Sequence, residues 1–218
     1  MKKKLLIFDL DGTLINTVKD LNEAVNYALR TFNYPARSLE QTRRDIGNGV
    51  AMLIARSIEN GKANPDYEKC LLTFKAYYRE HYFDYSRPYP GVKETVEKLK
   101  ELGYKLAVVS NKFDEGAKKL INHYFPGLFD FIQGESPKFK TKPSPEMIQN
   151  TLESLRIDVS EALYIGDTEV DFESANNTKM DVVLVSYGYR NKQELKDKIK
   201  SEPVIIDSLS ELINLLNQ

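Results

Sequence analysis

Short apolar runs and helical apolar stripes divide this chain into segments. The run Leu5–Phe8 is continuous and stops at an acidic turn, which predicts a buried parallel strand rather than an amphipathic helix. From residue 16 to about residue 85 the apolar positions recur at helical spacing. They include one stripe over positions 46–58 and an aromatic stripe, which we expect to be core, of Phe74, Tyr77, Tyr78 and Tyr82. Two prolines and a glycine in the segment 87–91 then interrupt the chain and predict the end of this helical stretch.

Beyond that break, strand patterns alternate with helix patterns. The predicted strands cover residues 106–109, 129–133, 162–165, 182–185 and 204–206. This alternation predicts an α/β fold, a doubly wound parallel sheet with right-handed crossovers. We therefore predict a Rossmann-like core from residues 1–15 and 86–218, with residues 16–85 inserted into it as a helical domain.

Composition narrows the classes of protein. The 218 residues carry 31 Lys and Arg against 32 Asp and Glu, a net charge of −1, which argues against nucleic-acid and membrane partners. One cysteine and two histidines exclude a Cys/His zinc site, so a metal would need oxygen ligands. The apolar run after the first lysines has only four residues, too few for a signal sequence, and we expect a cytoplasmic protein.

Polar side chains follow the predicted strands at the edge where such sheets bind ligands. Four segments are involved: Asp9-Leu10-Asp11-Gly12-Thr13, Ser110-Asn111-Lys112, the loop that contains Lys142-Pro143, and Gly166-Asp167-Thr168.

The acidic residues predict a cation site. Asp9 and Asp11 point the same way in an extended backbone, and two close carboxylates repel unless a cation such as Mg²⁺ lies between them. Gly12 permits a tight turn whose N–H groups can face an anion. Asp167 and Asp171 form a second acidic pair. The alternatives are an ordinary Asp-Gly turn for the first pair and N-capping for the second.

Three further segments carry candidate ligands for an anion. Ser110 and Asn111 offer neutral donors, and the prolines around Lys142 stiffen its loop and fix a positive charge. In the helical insert, Arg44 could bind a substrate carboxylate through two hydrogen bonds. Each of these residues, taken alone, is at least as well explained as a solvated loop or helix-end residue.

Together, these segments resemble the haloacid dehalogenase (HAD) superfamily over nearly the whole chain. Its four motifs match Asp9-Leu10-Asp11-Gly12-Thr13, Ser110, Lys142, and Gly166-Asp167 with Asp171. Two short segments are similar to those of phosphoglycolate-phosphatase-like members: Tyr89-Pro90-Gly91-Val92 and Val185-Ser186-Tyr187-Gly188. In these enzymes a small helical cap occupies the place of residues 16–85.

The resemblance implies a Mg²⁺-dependent phosphatase that hydrolyses a small phosphorylated metabolite through an aspartyl phosphate. Asp9 would be the nucleophile, Asp11 the general acid and base, and Lys142 the catalytic cation. The implied phosphate ligands are Gly12, Thr13, Ser110 and Asn111, while Arg44 is the substrate ligand suggested by its own charge. The implied metal ligands are Asp9, Asp11 through its backbone carbonyl, Asp167 and Asp171. We expect a monomer or a weak homodimer.

Other activities fit the same motifs. A phosphomutase would return the phosphoryl group to a sugar, and a pyrophosphatase or nucleotidase would differ only in substrate. A receiver-like signalling module also uses an aspartyl phosphate, acids and a lysine, but the large helical insert argues against it.

Overall fold

A parallel sheet is built from the apolar runs of the sequence. A computed structural model describes residues 3–217 of the chain. Its strands are β1 (Leu5–Phe8), β2 (Ile15–Asn16), β3 (Arg87–Pro88), β4 (Lys105–Phe113), β5 (Phe131–Glu135), β6 (Ala162–Gly166), β7 (Asp181–Val185) and β8 (Val204–Ile206). Six of them form one sheet in the order β5-β4-β1-β6-β7-β8, and every neighbouring pair is parallel. The α/β prediction is confirmed.

The helices fall into two groups. Four lie between β2 and β3: α1 (Val18–Thr31), α2 (Leu39–Asp45), α3 (Gly49–Ser57) and α4 (Tyr67–His81). Six accompany the sheet: α5 (Val92–Glu101), α6 (Asp114–Tyr124), α7 (Glu146–Leu155), α8 (Glu169–Thr178), α9 (Lys192–Lys198) and α10 (Glu211–Leu216). Short 3₁₀ helices cover Gly61–Ala63 and Val159–Glu161.

Two compact units account for this division. The core unit comprises Met1–Ile15 and Pro88–Gln218, and the helical unit comprises Asn16–Arg87. The chain crosses between the units in the short strands β2 and β3, which pair with each other. The second crossing lies slightly beyond the predicted boundary at 85/86.

In the core unit, β1 lies at the centre of the sheet and all four of its side chains are buried. Ile7, Val109 and Tyr164 pack in one apolar cluster with Met147 and Ile148 of α7. Burial on both faces explains why the strand sequences read as continuous apolar runs. Because β1 is held on both sides, the loop that follows it starts from a fixed point.

The helical unit has its own interior. Phe74 and Tyr78 of α4 are buried with their rings stacked 5.3 Å apart between centroids, so the aromatic stripe forms packing contacts. Asp20 of α1 is also buried, and it accepts hydrogen bonds from the backbone N–H groups of Tyr85 and Ser86. The end of the unit is thereby tied to its beginning.

Two of the differences from the sequence prediction concern segments with candidate site residues. The apolar positions 46–58 suggested one stripe, but Asn48 adopts φ 61° and separates α2 from α3. Strand β4 was expected to end at residue 109 and continues to Phe113, with a register shift against β5 after Val109. No helix in the described range 3–217 is long and apolar enough to cross a membrane.

Candidate active site

Adjacent strands bring the predicted polar residues to one edge of the sheet. Phe8, the last residue of β1, lies opposite Val108 of β4 and Ile165 of β6. Asp9 follows Phe8 directly, and its backbone N–H donates to the Ile165 carbonyl at 2.8 Å. Ser110 and Asp167 each come two residues after these partners, and both are buried. The sheet order therefore gathers segments that are distant in sequence.

Lys142 binds three partners in this cluster. Its Nζ lies 2.9 Å from Asp9 Oδ1, 2.7 Å from Asp171 Oδ1 and 3.0 Å from the Tyr164 hydroxyl. An ammonium group has three N–H donors, so each donor has an acceptor. Burial acts to lower the pKa of Lys142, but Asp171 and Asp9 outweigh it and hold that pKa well above its ordinary value. Lys142 is a fixed buried cation.

Asn111 holds the backbone at this lysine. Its side-chain oxygen accepts from the Lys142 backbone N–H at 2.8 Å, and its amide nitrogen donates to the Lys142 carbonyl at 3.0 Å. These two bonds use one N–H group of the Asn111 amide and one lone pair of its oxygen, so the contact of Asn111 with phosphate remains a prediction. The structure gives the side chain a positioning role for the loop of Lys142.

Three buried carboxylates lie together beside Lys142. Asp9, Asp167 and Asp171 each offer an oxygen within 4.8 Å of the others. Burial is the largest cause that raises the pKa of Asp9 to about 7, against the opposing effect of Lys142. Burial, followed by Asp171 and Asp9, raises the pKa of Asp167 well above its usual range. One lysine does not balance three carboxylates, and the oxygen donor set fits a hard divalent cation.

Asp167 is oriented by donors from two loops. Its Oδ1 accepts from the Thr13 hydroxyl at 2.9 Å, and its Oδ2 accepts from the Tyr189 backbone N–H at 2.7 Å. The Thr13 hydroxyl thus orients Asp167, whereas the phosphate contact predicted for Thr13 involves its backbone N–H and remains a prediction. The Gly12 N–H likewise donates to the Ile15 carbonyl at 2.9 Å, so the turn is closed by its own backbone. Phosphate binding by the backbone N–H groups of this turn remains a prediction.

Asp171 combines helix capping with charge pairing. Its Oδ2 accepts from the Thr168 hydroxyl at 2.7 Å and from the backbone N–H groups of Asp167 and Thr168, closing a capping box at the start of α8. Its Oδ1 accepts from Lys142. The capping alternative is thus present in the structure. These bonds let Asp171 orient Lys142, and its predicted part in holding a metal remains a prediction.

The remaining predicted residues occupy three different surroundings. Asp11 lies outside the three-carboxylate cluster, and its Oδ1 is 3.3 Å from Lys112 Nζ. The Ser110 hydroxyl oxygen accepts from the Lys112 backbone N–H at 3.2 Å. Arg44 belongs to the helical unit, where its Nε lies 2.9 Å from Glu40 Oε1. Contacts of Ser110 and Arg44 with a substrate remain predictions.

Comparisons with known proteins agree with this arrangement. The family model "Haloacid dehalogenase-like hydrolase" matches residues 6–185. A phosphoglycolate phosphatase from Aquifex aeolicus is 33% identical over 98% of this chain and 97% of its own length. One from Haemophilus influenzae strain 86-028NP is 34% identical over 98% of each chain. The crystal structure of a protein from Lactobacillus delbrueckii subsp. bulgaricus superposes with a TM-score of 0.92, 31% identity and 99% coverage of both chains.

The chain belongs to the haloacid dehalogenase-like hydrolases. This confirms the resemblance drawn from the motifs, and with it the prediction that the chain is an enzyme of the phosphatase type.

Sequence analysis gave no role to two residues at the site of this hydrolase. Tyr164 of β6 is fully buried, and its hydroxyl accepts from Lys142 Nζ. Lys112 of β4 is buried beside Asp11. The sequence could have indicated Lys112, because it is two residues from Ser110 and alternate residues of a strand point to the same face. Tyr164 looked like any aromatic residue of an apolar strand.

Gly12 is required by the space around Asp167. The residue adopts φ 93°, and a Cβ there would overlap the Asp167 carboxylate. We expect Gly12→Ala to destabilise this hydrolase and to abolish most activity, because Asp167 must move. Gly103→Ala is the matched control: its φ is 88°, but no atom lies within 4 Å of the added Cβ.

Backbone strain alone should cost Gly103→Ala about 1–2 kcal/mol with activity retained. Urea denaturation and phosphate release measure both quantities. If the two variants lose stability and activity equally, the overlap of the new Cβ at position 12 with the Asp167 carboxylate is not the cause of the loss.

Proposed function

We propose that this hydrolase is a Mg²⁺-dependent phosphatase that cleaves a small phosphate monoester of the phosphoglycolate type through an aspartyl phosphate. The observation that carries the proposal is the surroundings of Asp9. Its carboxylate lies at the end of the central strand, 2.9 Å from a buried lysine and beside Asp167 and Asp171. The names of the full-length relatives support the substrate class.

The first step transfers the phosphoryl group to Asp9. A carboxylate oxygen of Asp9 attacks phosphorus, and the bond from phosphorus to the leaving oxygen breaks. Asp11 gives its proton to that oxygen, so the product leaves as a neutral alcohol. Lys142 and Ser110 stabilise the charge on the phosphoryl oxygens as it develops.

The second step regenerates the enzyme. Asp11, now a carboxylate, accepts a proton from a water molecule while the water oxygen attacks phosphorus. The bond between phosphorus and Asp9 breaks, and inorganic phosphate is released. The proton that Asp11 lost in the first step is thereby restored.

The metal site belongs to the same proposal. Asp9, Asp167 and the backbone carbonyl of Asp11 would hold Mg²⁺, which screens the negative charges of the nucleophile and the phosphate from each other. Asp171 would act on the site through Lys142. A bound cation would oppose the burial that raises the pKa of Asp9 and of Asp167, and would favour the ionised form of both acids.

A substrate panel tests the proposed activity. We expect Mg²⁺-dependent release of inorganic phosphate, with the highest kcat/KM for phosphoglycolate among small phosphate monoesters, nucleoside monophosphates and pyrophosphate. EDTA should abolish turnover and added Mg²⁺ should restore it. Formation of a sugar phosphate isomer instead of free phosphate, with a bisphosphate present, would identify a phosphomutase.

Arg44 provides a test of carboxylate recognition. We expect Arg44→Ala to raise KM for phosphoglycolate by roughly tenfold with little change in kcat, as loss of a charge-assisted hydrogen bond would do. Arg43→Ala is the control, because Arg43 pairs with the same Glu40 on the same helix. An unchanged KM in Arg44→Ala, or an equal rise in both variants, would remove Arg44 from substrate binding.

A further inference from the structure

Lys112 is a second buried lysine at the carboxyl edge of the sheet. It lies in β4, and only 1% of its side chain is exposed. Its Nζ is 3.3 Å from Oδ1 of Asp11, across the neighbouring loop after β1. Removal of an ammonium group from water is costly unless an anion or hydrogen-bond acceptors compensate. Asp11 supplies such compensation at this position.

The two buried lysines bind different carboxylates. Lys142 contacts Asp9 and Asp171, whereas Lys112 contacts Asp11. Asp11 is the more accessible partner, with 19% of its side chain exposed. The Ser110 hydroxyl accepts from the Lys112 backbone N–H, which fixes the strand from which the lysine extends. Lys112 is therefore held rigidly while Asp11 is open on one side.

We infer that Lys112 is a positioning residue for Asp11. It holds Oδ1 of the carboxyl group and leaves Oδ2 as the oxygen that exchanges a proton with the leaving group. This inference rests on the proposed function, in which Asp11 gives a proton in the first step. As that proton leaves, Asp11 becomes negative, so its attraction to Lys112 is stronger in the transition state than in the ground state.

The inference has a kinetic signature that depends on the leaving group. A poor leaving group, such as the alkoxide of an alkyl phosphate, needs the proton from Asp11. A good one, such as the phenolate of p-nitrophenyl phosphate, leaves without it. The constant kcat/KM reports the first step alone when transfer to Asp9 is irreversible. A residue that acts through Asp11 should therefore affect kcat/KM for alkyl phosphates selectively.

The experiment compares four variants with the wild type on phosphoglycolate, on ethyl phosphate and on p-nitrophenyl phosphate, all with Mg²⁺. We expect Lys112→Met to lower kcat/KM for both alkyl phosphates by about 10–100-fold, and for p-nitrophenyl phosphate by less than about threefold. Lys112→Gln keeps a donor and should recover part of the loss. Lys105→Met, at the exposed start of the same strand, should resemble the wild type. Asp11→Asn is the reference for loss of the proton donor.

The outcomes separate the inference from the proposed function. If Asp11→Asn shows no selectivity for leaving groups, the proposed role of Asp11 is wrong. If Asp11→Asn is selective but Lys112→Met lowers kcat/KM equally for all three substrates, Lys112 has only a structural role and the inference fails. A loss confined to phosphoglycolate would instead assign Lys112 to the substrate carboxylate and would also overturn the inference. Circular dichroism of each variant checks that the loss occurs in folded protein.

Discussion

Replacement of Asp9 by asparagine should reduce phosphate release by at least about 1,000-fold, because a carboxamide oxygen does not form the aspartyl phosphate. The substitution keeps the shape of the side chain and the acceptor for the Leu10 N–H, which donates to Asp9 Oδ1 at 2.7 Å. It also removes one of three buried carboxylates while Lys142 keeps Asp171 as a partner. We therefore expect a melting temperature close to that of the wild type.

The measurement is phosphate release with Mg²⁺ and phosphoglycolate, together with a thermal melt of each protein. Asp181→Asn is the matched control. Asp181 is the first residue of β7 in the same sheet, whereas Asp9 directly follows β1. Asp181 is exposed and pairs with Lys3. Wild-type turnover is expected for this control. Substantial turnover by the folded Asp9→Asn variant would show that Asp9 is not the nucleophile.

The sheet could be predicted because its strands are buried on both faces. Such strands are short continuous apolar runs, and β1 and β6 stand out in the sequence for this reason. The strands β2 and β3 have two residues each, too few to show any period. Their pairing depends on chain segments that are distant in sequence, which no local pattern reports.

The end of β4 shows how tertiary contacts extend a strand. Ser110, Asn111 and Lys112 look like loop residues, and the sequence favoured an end at residue 109. In the structure all three lie within β4, and their polar groups bond to the chain at Lys142, to Asp11 and to one another. Polar residues can lie at the buried carboxyl end of a strand when groups from other loops form hydrogen bonds with them.

Segment 46–49 shows the opposite case. The sequence suggests that the glycines at 47 and 49, followed by a helix, bring backbone near a substrate, and separately that the apolar positions 46–58 form one helical stripe. The structure uses them to separate two helices, since Asn48 takes a left-handed conformation and α3 starts at Gly49. Turn chemistry was visible in the sequence, but the apolar period around it was given more weight.

At the site, the residues could be predicted but their partners could not. The motif spacing placed Asp9, Ser110, Lys142 and Asp167 at one edge, because parallel strands share their carboxyl ends. Side-chain hydrogen bonds depend on rotamers and on loops that pack from elsewhere. The bond from Thr13 to Asp167 and the clamp of Asn111 on Lys142 are of this kind. Both residues lie at the site, and both position other groups.

Removal of the buried cation should have a large effect on stability. Lys142→Met leaves Asp9 and Asp171 buried without the lysine that contacts both. Loss of one partner from a buried ion pair costs about 3–5 kcal/mol, because the remaining charge is uncompensated. We expect that loss in urea denaturation with EDTA present, and a phosphatase activity near background with Mg²⁺.

A double-mutant cycle with Asp171→Asn identifies the cause of the loss. In the double variant one uncompensated carboxylate is gone, whereas an asparagine oxygen can still cap α8. The combined loss should therefore be smaller than the sum of the single losses by about 1–3 kcal/mol, the range for residues in one network. Activity should stay near background, since Lys142 also contacts Asp9.

The matched control is the exposed pair of Lys98 and Glu101 on α5, at 3.1 Å. The cycle Lys98→Met with Glu101→Gln should give a coupling below about 0.5 kcal/mol, because water screens both charges. A coupling at Lys142 and Asp171 as small as this control would show that burial does not strengthen the pair. Stability unchanged in Lys142→Met would show that the two acids are accommodated without a lysine, and the electrostatic account of the site would be wrong.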